Sequence, residues 1–172
     1  MKETKVLLSD FFTITGAIQT DKINLTITDK SSPDAMPFIG RSGSNNGVVD
    51  YVIRKDKLVN AGNVITIALD GSTGSTFYQH HEFMSGQNIW KLVPKEDKFP
   101  EFNHIIALFI LPSIRKAVKG YSYNLGLTKT RLLGVRILMP MIDGAVDVGY
   151  IYKYMSKLRN FTTIVEIPNK RL

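Results

Sequence analysis

Short runs of β-branched residues dominate the first hundred positions, and a helical period takes over after residue 101. Residues 23–28 and 48–53 lie between Gly and Pro punctuation and read as strands. Residues 63–69 are apolar on nearly both faces, which predicts a central strand inside the core. The small residues 71–75 predict a tight turn, after which 76–78 and 88–93 read as further strands, the latter carrying the single Trp90 into the core. From Glu101, the positions Phe102, Ile105, Ile106 and Phe109 follow the i, i+3, i+4, i+7 spacing of a helix, with Asn103 and His104 off that stripe. Pro112 is expected to kink or end this helix, and Gly120 to stop its basic exit. Thr128 can cap a short helix ending near Gly134, 135–139 reads as a strand closed by Pro140, and Asp147 can cap a final helix from 148 to 158. The expected class is α+β: a twisted mixed sheet with a few flanking helices.

A chain of 172 residues fits one domain with a real core. We place that domain at 1–145 and a C-terminal helix and tail at 146–172. The absence of cysteine excludes a disulfide framework, a thiolate metal site and a cysteine nucleophile. No apolar run approaches the ~18 residues of a membrane span, so no membrane association is expected and the expected location is the cytoplasm. Charge changes the picture more. Residues 1–111 carry 11 basic and 12 acidic side chains, whereas 112–172 carry 11 basic and 3 acidic ones, a net +8. Between Pro112 and Pro140, Arg115, Lys116, Lys119, Lys129, Arg131 and Arg136 are interleaved with Tyr121 and Tyr123 and meet no acid. Such a stretch suits a polyanion, because Lys and Arg neutralise phosphates while Tyr offers a ring and a hydroxyl.

Recognisable catalytic chemistry is sparse. The run 71–76 lacks the Gly-Lys of a phosphate-binding loop, and no nucleophile elbow is present. His80 and His81 are adjacent and suit a polar loop better than a metal site, and His104, without a second histidine nearby in sequence, reads as a surface residue. Asp34, Glu96 and Lys98 mimic the carboxylate–lysine pattern of metal-dependent nucleases, a match that arises easily by chance. No catalytic residue, metal or cofactor is assigned.

Five ordered stretches carry a resemblance: 36–51 (MPFIGRSGSNNGVVDY), 62–78 (GNVITIALDGSTGSTFY), 86–89 (GQNI), 121–133 with Tyr121, Tyr123 and 127–133 (LTKTRLL), and 135–140 (VRILMP) with 144–155 behind it. Together they resemble the target recognition domain of the DNA-specificity subunits of type I restriction-modification systems, also found in fused or two-subunit type II relatives. The resemblance implies a non-catalytic module that presents loops to the major groove of duplex DNA. It also implies a partner methyltransferase subunit, and an endonuclease subunit in some systems. Specificity chains of that family hold two such domains and long spacer helices. This sequence stops soon after Leu158, which fits one half of a bipartite reader, a small subunit, a dimer or a piece of a longer chain. Arg41, Ser42, Asn45 and Asn46 are the candidates for base edges, with Tyr78 and Gln79 as weaker ones. Lys116, Lys119, Tyr121, Tyr123, Lys129 and Arg131 are the phosphate candidates. The competing expectation is a protein-interaction or inhibitory subunit whose basic face meets an acidic partner.

Overall fold

The computed structural model describes residues 3–121 and 125–166. The chain begins with β1 (Glu3–Leu7), a single turn α1 (Leu8–Phe11) and β2 (Phe12–Gly16). There follow β3 (Ala35–Ile39), β4 (Val48–Ile53), β5 (Val64–Ala68), β6 (Thr76–Gln79), β7 (Met84–Ser85) and β8 (Ile89–Pro94). The last part holds α2 (His104–Val118), α3 (Lys129–Leu133), β9 (Arg136–Ile142), β10 (Ala145–Val146), α4 (Val148–Met155) and α5 (Phe161–Glu166). The class is α+β as expected, with the strands shared among three small sheets: β2-β8-β5-β6, β4-β3-β7 and β1-β9-β10. All pairs are antiparallel except β3 with β7.

The central sheet explains why 63–69 is apolar on both faces. In register, Ile14, Leu92, Ile65 and Tyr78 form one row, and Gly16, Trp90, Ile67 and Thr76 the next. These rows face α2, whose Ile106, Ile110 and Ile114 complete the main core. The alternate residues Val64 and Ala68 turn the other way, onto Ile39, Phe83 and Ile89. All five residues of β5 are therefore buried. Ile151 and Met155 of α4 belong to the same main core as α2.

Four expectations need correction. Residues 23–28 form no strand: a 3-10 turn occupies Lys22–Asn24, and only Ile27 bridges to Val52. The segment runs along the open edge of β4, where Ile23 is 91% exposed, so its alternation has no core to face. Pro112 lies inside α2 without ending it; the N–H it lacks would have met Leu108, which is only half-buried. Pro140 does not close β9, because it pairs with Glu3 at the first position of β1 and the ladder then passes to β10 at Met141 and Ile142. His104 is buried, with no hydrogen-bond partner for Nε2 among the described residues. Aromatic rings gather it in, since the imidazole of His80 lies 6.4 Å away and is itself stacked edge-on against His81 at 4.4 Å.

Candidate nucleic-acid interface

Antiparallel pairing brings one end of the central sheet together from the end of β2, the start of β8, the end of β5 and the start of β6. The connections 69–75 and 86–88 emerge there, and the β3–β4 connection 40–47 lies against the first of them. Gly71 and Gly74 adopt φ of +64° and +79°, which the tight turn requires. A side chain at either would also collide: a Cβ on Gly71 would sit 2.9 Å from Cβ of Arg41, and one on Gly74 3.0 Å from Val118. The turn 71–75 is thus pinned between Arg41 and the end of α2.

Within 40–47, Asn45, Asn46 and Gly47 all take positive φ. Asn46 then reaches inward, its Nδ2 donating to the Tyr78 carbonyl at 3.0 Å and to Gln79 Oε1 at 3.3 Å. Gln79 is buried and answers by donating to the Asn46 carbonyl and to Thr66 Oγ1, both at 3.0 Å. Tyr78 is buried as well; its hydroxyl donates to Asn63 Oδ1 at 2.8 Å, and burial pushes its pKa up to about 12. Asn46 and Gln79, proposed from sequence as base readers, therefore spend their side-chain amides holding the loop to the sheet, and the hydroxyl of Tyr78, proposed likewise, is spent on Asn63. Arg41 and Asn45 are exposed and Ser42 is half-buried, so these three retain access to a ligand.

The basic residues fall on two neighbouring supports. At the end of α2, Arg115 lies over the Phe77 ring at 5.4 Å and donates from Nε to the Thr76 carbonyl at 3.1 Å. Lys116 and Lys119 beside it are exposed. On α3, begun by Thr128 accepting from the Arg131 N–H, Lys129 lies over Trp90 at 5.6 Å. Arg131 closes the preceding loop by donating to the Leu125 and Gly126 carbonyls. Thr76 and Trp90 share one row of the sheet two strands apart, roughly 10 Å, so the two supports flank the same end. Tyr121 packs partly against the core, and Tyr123 lies outside the described residues.

The loops 40–47 and 69–75 form a ridge with a groove on each side. One groove, of about 790 Å³, takes Gly43, Thr73, Ser75, Arg115, Lys116 and Lys119, with no carboxylate in its described lining. The other, of about 540 Å³, takes Arg41, Ser42 and Gly71 from the same loops, joined by Thr20, Lys22 and Gln87. Its two cations are already paired, Lys22 with Asp50 at 2.6 Å and Arg41 with Asp70 at 3.0 Å, while the Asp21 carboxylate in its lining accepts from the neutral Gln87 amide at 2.8 Å. Thr20, Asp70, Gln87 and Asn88 join the site through sheet topology; the last three lie in the stretches that carry the family resemblance, without a local signal of contact. Asp34 leads into β3, whereas Glu96 and Lys98 follow β8 beside β10, so the nuclease-like pattern falls in different regions.

A ridge of polar loops between a cationic groove and one whose cations are paired, carried on small sheets, defines an interface module suited to an extended polyanion. The type I restriction modification DNA specificity domain matches residues 2–170, and the chain belongs to that family. Over 154 residues it is 25% identical to the Type II restriction enzyme BgcI specificity subunit S.BcgI of Heyndrickxia coagulans, covering 89% of this chain and 42% of that one. Its fold is similar to that of the HsdS subunit from Thermoanaerobacter tengcongensis, with TM-score 0.61, 13% identity, and coverage of 98% of this chain and 40% of the other. The type I restriction-modification S subunit from M. genitalium is also similar, with TM-score 0.57, 14% identity, and coverage of 99% and 45%. The chain thus spans less than half the length of these relatives.

Proposed function

We propose that this domain reads a short sequence in duplex DNA and directs a partner methyltransferase, and in some assemblies an endonuclease, to it without catalysing a reaction itself. The carboxylate-free groove containing Arg115, Lys116 and Lys119, set directly beside a ridge that exposes Arg41, is the observation that carries this reading. Phosphate contacts position a protein on DNA and base contacts specify the site, and here the two kinds of side chain occupy opposite sides of one ridge. In the proposal Lys116, Lys119 and Lys129 follow the backbone, and Arg41, Ser42 and Asn45 meet base edges, Arg41 being suited to guanine O6 and N7. Family membership and the likeness to specificity subunits support it. A second recognition domain, in the same chain or in a dimer, would extend the site.

Selection from a random duplex library at near-physiological salt tests the proposal. The expected result is enrichment of one short motif, and Arg41→Ala is expected to relax preference at one base pair of it, costing about 1–3 kcal/mol of discrimination. Retention of every duplex alike, or of none, would point instead to an acidic protein partner for the basic face.

A further inference from the structure

Asp70 stands where three connections meet. Its Oδ2 accepts from Arg41 Nη1 at 3.0 Å, in loop 40–47, and from Asn88 Nδ2 at 2.7 Å, in loop 86–88. The main chain repeats the arrangement: the Ser72 N–H donates to the Arg41 carbonyl at 3.3 Å, and the Leu69 N–H to the Asn88 carbonyl at 3.0 Å. Gly71 leaves room for the Arg41 stem, since a Cβ there would come within 2.9 Å of the Arg41 Cβ. Arg41 is thereby held at its backbone and its guanidinium tip, although its side chain remains 47% exposed.

Stability alone does not explain this carboxylate. Exposed ion pairs contribute little, and here the second oxygen, Oδ1, is buried without a hydrogen-bond partner among the described residues, which opposes folding. What the arrangement does is orient. A guanidinium has five N–H donors, and one bond to Asp70 leaves the others available for a bidentate contact. Immobilising a rotamer-rich side chain on binding has an entropic cost, which a tip already held by a carboxylate avoids. The charge acts in the same direction: an arginine neutralised by an adjacent carboxylate gains little from a phosphate, and the carboxylate repels one, whereas a guanine edge offers neutral acceptors. We infer that Asp70 is a positioning residue for sequence readout, holding Arg41 for a base edge and away from the backbone. The inference rests on the DNA-reading proposal and deepens it.

The test compares the whole chain carrying Asp70→Ala, Asp70→Asn, Arg41→Ala and the Asp70→Ala/Arg41→Ala pair in competition binding to the selected duplex and its single-base variants. Asp70→Ala is expected to lower discrimination roughly tenfold at the same base pair that Arg41→Ala affects. Affinity for unrelated duplex should not fall, and the double variant should discriminate no worse than Arg41→Ala alone. Asp70→Asn has the same shape and no charge, so it carries the test if the alanine variant does not fold; its loss should lie between wild type and alanine. A merely structural role would move thermal stability and weaken all base pairs alike. Full retention of the preference by Asp70→Asn or Asp70→Ala, or additive losses in the double variant, would overturn the inference while leaving the DNA-reading proposal standing. A wild-type chain that selects no sequence overturns that proposal and the inference with it.

Discussion

Burial penalises an imidazolium more than an imidazole, and His80 and His104 lie where that penalty applies. His80 titrates below its ordinary range, chiefly through burial and then through the nearby His81 and His104; burial does the same to His104, opposed in part by a hydrogen bond that its ring donates to the Ile164 backbone carbonyl. Both groups are neutral in the folded state at pH values where the unfolded chain, near pKa ~6.5, already binds protons. Their effect is therefore absent above that value, and stability is lost as the pH falls through it towards the lowered folded values. Thermal melts taken from pH 7.5 down to 5.5 should show a falling midpoint, and His104→Phe should flatten that fall; an unchanged slope in the variant would assign the pH dependence to other groups. The same cluster marks what is illegible in sequence. His104 stands off the apolar stripe of its helix, and the meeting of α2 with the segment after β6 and with α5 encloses it. Likewise Arg41 and Asn45 are readable as exposed polar side chains on a loop, whereas the clasp between Asn46 and Gln79 joins positions 33 residues apart and depends on strand register.

Elements were legible where the signal is local. Thr128 and Asp147 cap α3 and α4 as their spacing implies, with bonds of 3.3 Å to the Arg131 N–H and 2.8 Å to the Tyr150 N–H. Strand 48–53 follows from its β-branched run and the helix carrying Ile105, Ile106 and Phe109 from its period. The failed strand at 23–28 shows the converse, because alternation marks a strand only where one face finds a core. At the start of α2, Asn103 accepts from the Ile105 and Ile106 N–H groups at 3.0 and 3.3 Å and donates to the Tyr152 hydroxyl at 2.7 Å, tying α2 to α4. Removing a cap costs about 1 kcal/mol and a partly buried hydrogen bond a similar amount, so Asn103→Ala should destabilise by about 2 kcal/mol. Tyr152→Phe, which loses only the second contact, should cost about 1 kcal/mol. Chemical denaturation measures both. The 15 residues of α2 place this cap roughly 22 Å from the helix end that carries Lys116, so DNA affinity should be unchanged in either variant.

For the whole molecule, a basic sequence and a basic surface are different things. The described basic residues of 112–172 do not share one surface. Arg115, Lys116 and Lys119 line the groove beside the ridge. Lys153 belongs to α4, which packs through Tyr150 and Tyr154 against Phe109, in the earlier part of α2. If counterion release from phosphates drives binding, the groove lysines should count and Lys153 should not. Each lysine withdrawn from a phosphate reduces the slope of log affinity against log salt by about 0.9. The Lys116→Ala/Lys119→Ala pair should therefore lower the slope by nearly 2 and weaken all sequences alike. Lys153→Ala should leave the slope unchanged. Arg41→Ala should alter it little, because Asp70 already matches that charge and the contact expected of Arg41 is to a base. Salt titrations of the four proteins on one duplex separate these cases. Equal losses for Lys153→Ala and either groove lysine would mean that charge acts only in bulk, and that the ridge and its grooves do not set where DNA lies.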